Sequence, residues 1–147
     1  MFSSIVVGTD GSATATQAVR EAVDIAQAVG ATLELVSAYS PVPEQRLREE
    51  RRDAPEDVQW AIHPRHEVET SLSDAAELAR AASVEVNTYA RQGDPSDAII
   101  DVAEERGSDL IIVGNKGMTG AKRFLLGSVP DKISHHAPCS VMIIRTT

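Results

Sequence analysis

The chain has 147 residues, enough for one domain (1–147) with a sizeable core, and its 42% hydrophobic but only 3% aromatic content makes that core aliphatic, excluding an aromatic-rich β-sandwich. A net charge of −8, from 14 basic and 22 acidic residues, excludes nucleic-acid binding through a broad basic face, since the one arginine-rich run, Arg46 to Arg52, is interleaved with Glu49 and Glu50. The single cysteine, Cys139, rules out an intrachain disulfide, no apolar run approaches the ~20 residues of a membrane span, and MFSSIVVGTDGS lacks a basic n-region and an h-region, so a cytoplasmic protein is expected.

Ser4 to Gly8 (SIVVG) is a short apolar run ended by glycine, the pattern of a buried parallel strand. Thr9-Asp10-Gly11-Ser12 is a tight turn, with Asp10 placed either to cap the next helix or to meet a ligand. A helix over Ala13 to Val29 carries Ala15, Ala18, Val19, Ala22, Ile25, Ala26 and Val29 as its apolar stripe, and Gly30 stops it. The second strand is Thr32 to Ala38.

From Tyr39 to His63 the chain is polar and proline-bearing, long for a loop, which predicts a functional lid or a mobile segment. Trp60 and Ile62 could pin its far end, and Glu44 to Arg52 could form a short helix. A second helix is expected over Pro64 to Ala82, with Val68, Leu72, Ala75, Ala79 and Ala82 as its stripe. Val84 to Ala90 alternates and reads as a third strand near a sheet edge.

Gly93-Asp94-Pro95-Ser96-Asp97 writes out a helix start, with Asp94 at the cap and Pro95 first inside; that third helix reaches Arg106 and Gly107. Asp109 to Val113 is strand four. After a glycine-bearing loop a fourth helix runs from Ser128, expected as its N-cap, to His136. Ser140 to Arg145 is strand five. Cys139 just precedes it and reads as a small buried residue.

Strand and helix alternate four times before a last strand, which predicts an α/β three-layer sandwich with a mostly parallel five-stranded sheet. Ligands of such sheets bind beyond the strand carboxyl ends, where the winding reverses. Two such loops are rich in glycine and small polar residues: Gly8 to Ser12 and Gly114 to Ser128. A strand order 3-2-1-4-5 brings both to one crevice. Bare N–H groups in the glycine loop and at the following helix start form an anion cradle.

No GxxxxGK(S/T) phosphate loop and no GxGxxG after strand one occur. No Ser/His/Asp array stands in a nucleophile context, and no residue is evidently placed to orient a water, so at most slow hydrolysis of a bound ligand is expected. Neither His63 with His66 nor His135 with His136 is completed to a metal set.

The spacing Gly114-x2-Gly117-x9-Gly127-Ser128, after a strand and opening a helix, resembles the ATP-binding signature of the universal stress protein family. IVVGTDGS, the Gly93-Asp94-Pro95 turn, DLIIVGNKG, LLGSVPDKI and APCSVMII extend the resemblance over essentially the whole chain. The resemblance implies an adenine nucleotide alpha hydrolase-like fold and a stress-response or signalling role.

The resemblance further implies ATP, with or without Mg2+, at Thr9, Asp10, Ala38, Val113, Gly114, Asn115, Gly117, Met118, Gly127, Ser128 and Val129. Asp10 would stand on the nucleoside side and Ala38 at the adenine edge. A homodimer through strand five (Val141, Met142, Ile143, Ile144) is implied as well, and an open apolar edge would need such a cover. AMP or cyclic AMP in the same site, or an empty dimeric interaction module, are the alternatives. Lys116, Lys122 and Arg123 could neutralise phosphate.

Overall fold

β1 (Ser4–Gly8) lies at the centre of the sheet and is walled in on both sides: Ile5, Val6 and Val7 are fully buried. A strand covered on both faces needs consecutive apolar residues rather than alternation, and SIVVG supplies them. The computed structural model describes residues 1–39, 65–115 and 127–146. The expected helix over Glu44 to Arg52, and Trp60, Ile62 and His63, lie outside the described residues.

The remaining elements are α1 (Ala13–Val29), β2 (Thr32–Tyr39), α2 (Arg65–Ala81), β3 (Val86–Gln92), α3 (Pro95–Arg106), β4 (Leu110–Gly114), α4 (Ser128–His136) and β5 (Ser140–Ile144). All pairings are parallel, in the order β3-β2-β1-β4-β5. The winding reverses between β1 and β4.

Alternate residues of each strand face opposite layers. Ile5, Val7, Leu33, Leu35, Leu110 and Ile112 pack with the buried stripes of α1 and α2. Val6, Val36, Ala38, Ile111 and Val113 pack with α3 and α4 through Ile99, Val102, Val129 and Ile133. Each buried Leu, Ile or Val contributes roughly 1.5–3 kcal/mol of transfer free energy. The α1 stripe includes Val23, which the spacing argument had left out.

Three starts differ from expectation, β4 beginning at Leu110 rather than Asp109. β3 begins at Val86, not Val84. Ser83 takes a left-handed φ of 57°, and the Val84 N–H turns back to the Ala79 carbonyl at 2.9 Å. Val84 therefore closes the end of α2, although it is buried like a strand residue. α4 is capped by Gly127, with Ser128 already its first helical residue. Pro130 needs no intrahelical donor anywhere in the first turn, so proline did not discriminate between the two registers.

Candidate functional site

The site is assembled where β1 and β4 end side by side. Val7 stands beside Ile112 in the parallel register, so the turn at Thr9 and the exit at Asn115 leave the sheet at the same end. The Thr9 N–H donates to the Val36 carbonyl at 2.9 Å, which carries the β1–β2 pairing one step past the strand. Its hydroxyl accepts from the Gly11 N–H at 3.2 Å.

Asp10 is half-buried at the switch point, and its Oδ1 accepts from the Ser12 N–H at 2.9 Å. It shapes the turn but does not cap α1. That position belongs to Ser12, whose Oγ accepts from the Ala15 N–H at 3.2 Å. Gly11 has φ +79°, and a Cβ there would stand 2.4 Å from Ser71 Oγ on α2. Both the conformation and the close approach call for glycine. At Gly8 a Cβ would meet Ile99 Cδ1, the end of that side chain, at 2.6 Å, so Ile99 would have to shift.

On the other side of the mouth, Val113 is buried and Gly114 ends β4. A Cβ on Gly114 would meet its described neighbours at 3.5 Å or more, so neither packing among them nor a positive φ calls for glycine here. Asn115 is only 4% exposed. Gly117 and Met118, and with them Lys116, Lys122 and Arg123, lie outside the described residues.

α4 supplies the donors. Gly127 caps it without a side-chain hydrogen bond. Its carbonyl already accepts from the Asp131 N–H at 3.1 Å, and Pro130 has no N–H to give. The first-turn donors without an intrahelical acceptor are therefore the amides of Ser128 and Val129. They sit at the positive end of the helix dipole, which favours an anion. Ser128 is exposed, while Val129 is buried in one cluster with Val113 and Ala38.

Val129 thus ties the helix start into the buried cluster that also holds Val113 of β4 and Ala38 of β2. Of the residues singled out from sequence, Thr9, Asp10, Ala38, Val113, Gly114, Asn115, Gly127, Ser128 and Val129 gather at this end of the sheet. Ala38, the penultimate residue of β2, is buried.

Lys132 is committed elsewhere. Its Nζ lies 2.9 Å from Asp97 and 3.4 Å from Asp94, fastening α4 to the start of α3. The Asp97 carboxylate raises its pKa above the ordinary lysine value. Cys139 is half-buried, and burial, then the Asp109 charge, push its thiol pKa upward, away from thiolate chemistry.

Sequence reasoning missed Thr146, which reaches back to Asn115 with two hydrogen bonds. Nothing in its residue type marks that role. It also missed Ser71 against Gly11, a contact between elements distant in sequence.

A family model described as the universal stress protein family matches residues 1–145. The universal stress protein Rv1636 of Mycobacterium tuberculosis is 36% identical over 147 residues, covering 99% of this chain and 98% of that protein. The universal stress protein MJ0531 of Methanocaldococcus jannaschii is 28% identical over 148 residues, with 99% and 83% covered.

Among solved structures, a universal stress protein in complex with cAMP superposes with a TM-score of 0.75 at 30% identity, covering 99% of both chains. One from Archaeoglobus fulgidus in complex with dAMP gives 0.66 at 25% identity, covering 97% of this chain and 98% of that one.

Proposed function

Because the chain belongs to the universal stress protein family, we propose that it is a single-domain, cytoplasmic nucleotide-binding protein that holds ATP at the mouth between β1 and β4 in a stress-response or signalling role. Asp10 meets the ribose side, and the backbone at Ala38 meets the adenine edge. Gly114, Gly117, Gly127, Ser128 and Val129 surround ribose and phosphates, with Thr9, Val113, Asn115 and Met118 completing the wall. Mg2+ accompanies the triphosphate.

The observation that carries this reading is the start of α4. A helix end with no side-chain cap, its Ser128 and Val129 amides lacking helical acceptors, opens with Val129 in the same buried cluster as Val113 near the end of β4. The relatives described with cAMP and dAMP bound support an adenine nucleotide as the class of ligand.

Calorimetric titration with ATP tests it, using Ser128→Glu and Gly127→Glu. A carboxylate at the first helical position suits the helix dipole and leaves α4 intact, so Ser128→Glu removes the anion site without unfolding the helix. Binding by the natural chain that disappears in both variants is the expected result. ATP affinity unchanged by Ser128→Glu overturns the placement of the phosphates.

Cyclic AMP in the same mouth is the second reading, favoured by the similar structure described with it. Competition between the two ligands separates them. Absence of 260 nm absorbance and of any nucleotide titration favours the third, a nucleotide-free interaction module paired through β5.

A further inference from the structure

We propose that Thr146 and the Asn115 carboxamide are positioning residues of this nucleotide site, a lock that ties the segment after β5 to the first residue of the glycine stretch. The inference rests on the nucleotide-binding reading above and assigns a role to residues on the far side of the mouth from Asp10.

Three hydrogen bonds close the lock. The Asn115 N–H donates to the Ile144 carbonyl at 2.9 Å, carrying the β4–β5 ladder one residue beyond the Gly114–Ile144 pair. The Thr146 N–H then donates to Asn115 Oδ1 at 2.8 Å, and the Thr146 hydroxyl to the same oxygen at 3.1 Å. The Thr146 methyl stands 3.5 Å from where a Gly114 Cβ would be, so the segment also packs against the last residue of β4.

The asparagine is 4% exposed, and a buried amide oxygen left without a donor costs about 1–3 kcal/mol. The lock is therefore held shut by desolvation as much as by its own bonds.

Its chemistry defines what Asn115 can do. A carboxamide oxygen has two lone pairs, and Thr146 occupies both. Oδ1 cannot also accept from a ribose hydroxyl, so that atom works by holding the Asn115 backbone to Thr146. That backbone is the chain's departure from the sheet toward the proposed phosphate loop. Fixing it holds the Asn115 backbone at the carboxyl end of β4, and a pre-ordered rim raises affinity without adding a ligand contact.

The test compares Thr146→Pro, Thr146→Val and Thr146→Ser with the natural chain. Proline removes the N–H and the hydroxyl, valine removes only the hydroxyl, and serine keeps both. Calorimetry reads ATP and cyclic AMP affinity, thermal unfolding without nucleotide reads stability, and amide exchange reads the Asn115 N–H.

Thr146→Pro is expected to bind nucleotide at least about fivefold more weakly and to expose the Asn115 amide to exchange, with Thr146→Val between it and wild type. Thr146→Ser restores affinity to within about twofold. The thermal midpoint of Thr146→Pro falls by about 3–12 °C, the equivalent of the roughly 1–3 kcal/mol lost with the donors, which leaves the chain folded at the temperature of the titration.

Wild-type affinity in Thr146→Pro overturns the proposal, as does weakened binding that serine fails to restore. A natural chain that binds neither nucleotide overturns the function itself, a result distinguishable from both.

Discussion

Glu34 Oε2 accepts a 2.8 Å hydrogen bond from the Tyr89 hydroxyl across the β2–β3 boundary, with Glu34 only 2% exposed. A carboxylate inside a sheet is costly unless donors surround it. Asn87 Nδ2 approaches Oε1 at 3.4 Å, and Arg106 Nε lies 3.7 Å from the same oxygen. Arg91 stands over the Tyr89 ring at 5.5 Å and grips Glu105 of α3 with two bonds of 2.6 and 3.0 Å. The edge strand is thereby fastened to α3 by polar contacts where its own burial is incomplete.

Tyr89→Phe should destabilise the protein by about 1–3 kcal/mol, because it leaves a buried acceptor short of a donor. Glu34→Gln combined with Tyr89→Phe should cost less than the sum of the two single changes. Burial, and after it the Glu34 carboxylate, raise the tyrosine pKa above 10.0. The contribution is therefore complete below the unfolded value and lost as pH rises through the higher folded one. Urea unfolding of both proteins should show their difference shrinking above pH 10.0. A constant gap would contradict the ionisation argument.

The alternation of strands and helices was legible in residue patterns, and the order 3-2-1-4-5, chosen because it brings the ends of β1 and β4 together, is the order observed. The network around Glu34 was not. A single glutamate in TLELVSA looks the same whether its carboxylate is solvated at an edge or sealed beneath Tyr89, and the partners come from 53 and 55 residues away. The cap of α4 was misplaced by one residue because serine and glycine both suit the position. The consequence is chemical: a serine cap would have used one helix amide that the glycine cap leaves open.

Ser12 and Asp10 should separate capping from binding. Ser12→Ala removes the α1 cap and should cost about 1 kcal/mol in stability, with nucleotide affinity within about twofold of wild type, since its Oγ is turned to the Ala15 amide. Asp10→Ala should weaken nucleotide binding by roughly tenfold if its carboxylate meets the ribose, as one charged hydrogen bond is worth about 1.5 kcal/mol or more. Paired thermal and calorimetric measurements decide. Equal affinity losses in both variants would mean that the turn's shape, not the carboxylate, is what matters.

Asp109 should govern part of the acid limb of stability. Burial pushes its carboxyl pKa upward, but the Ser3 and Ser4 amides and the Ser3 hydroxyl, at 3.0 to 3.2 Å, outweigh that and hold it below 3.8. A lowered folded value gives stability that is present above the unfolded pKa and lost as pH falls through the folded one. Asp109→Asn should therefore be less stable at pH 7 by about 1 kcal/mol, a figure already reduced for solvent screening. The gap should close as pH falls below 3.8. A gap independent of pH would assign the loss to geometry rather than charge.

Ile143 is the prediction on assembly. β5 pairs with β4 alone, so its outer ladder has no strand partner among the described residues. Ile143 is 38% exposed on that strand, with Val141, Met142 and Ile144 only partly buried. Bare apolar edges invite pairing, and lysine is a common natural block against it. If two copies join through β5, Ile143→Lys should shift sedimentation at about micromolar concentration from dimer to monomer, without lowering the monomer's own thermal midpoint. A natural chain that sediments as a monomer, or an Ile143→Lys variant that stays dimeric, would rule out this edge as the contact. The same experiment with Thr146→Pro adds a further reading. The lock extends the β4–β5 ladder beyond Ile144, so its loss should weaken dimerisation only if the paired edge reaches that far.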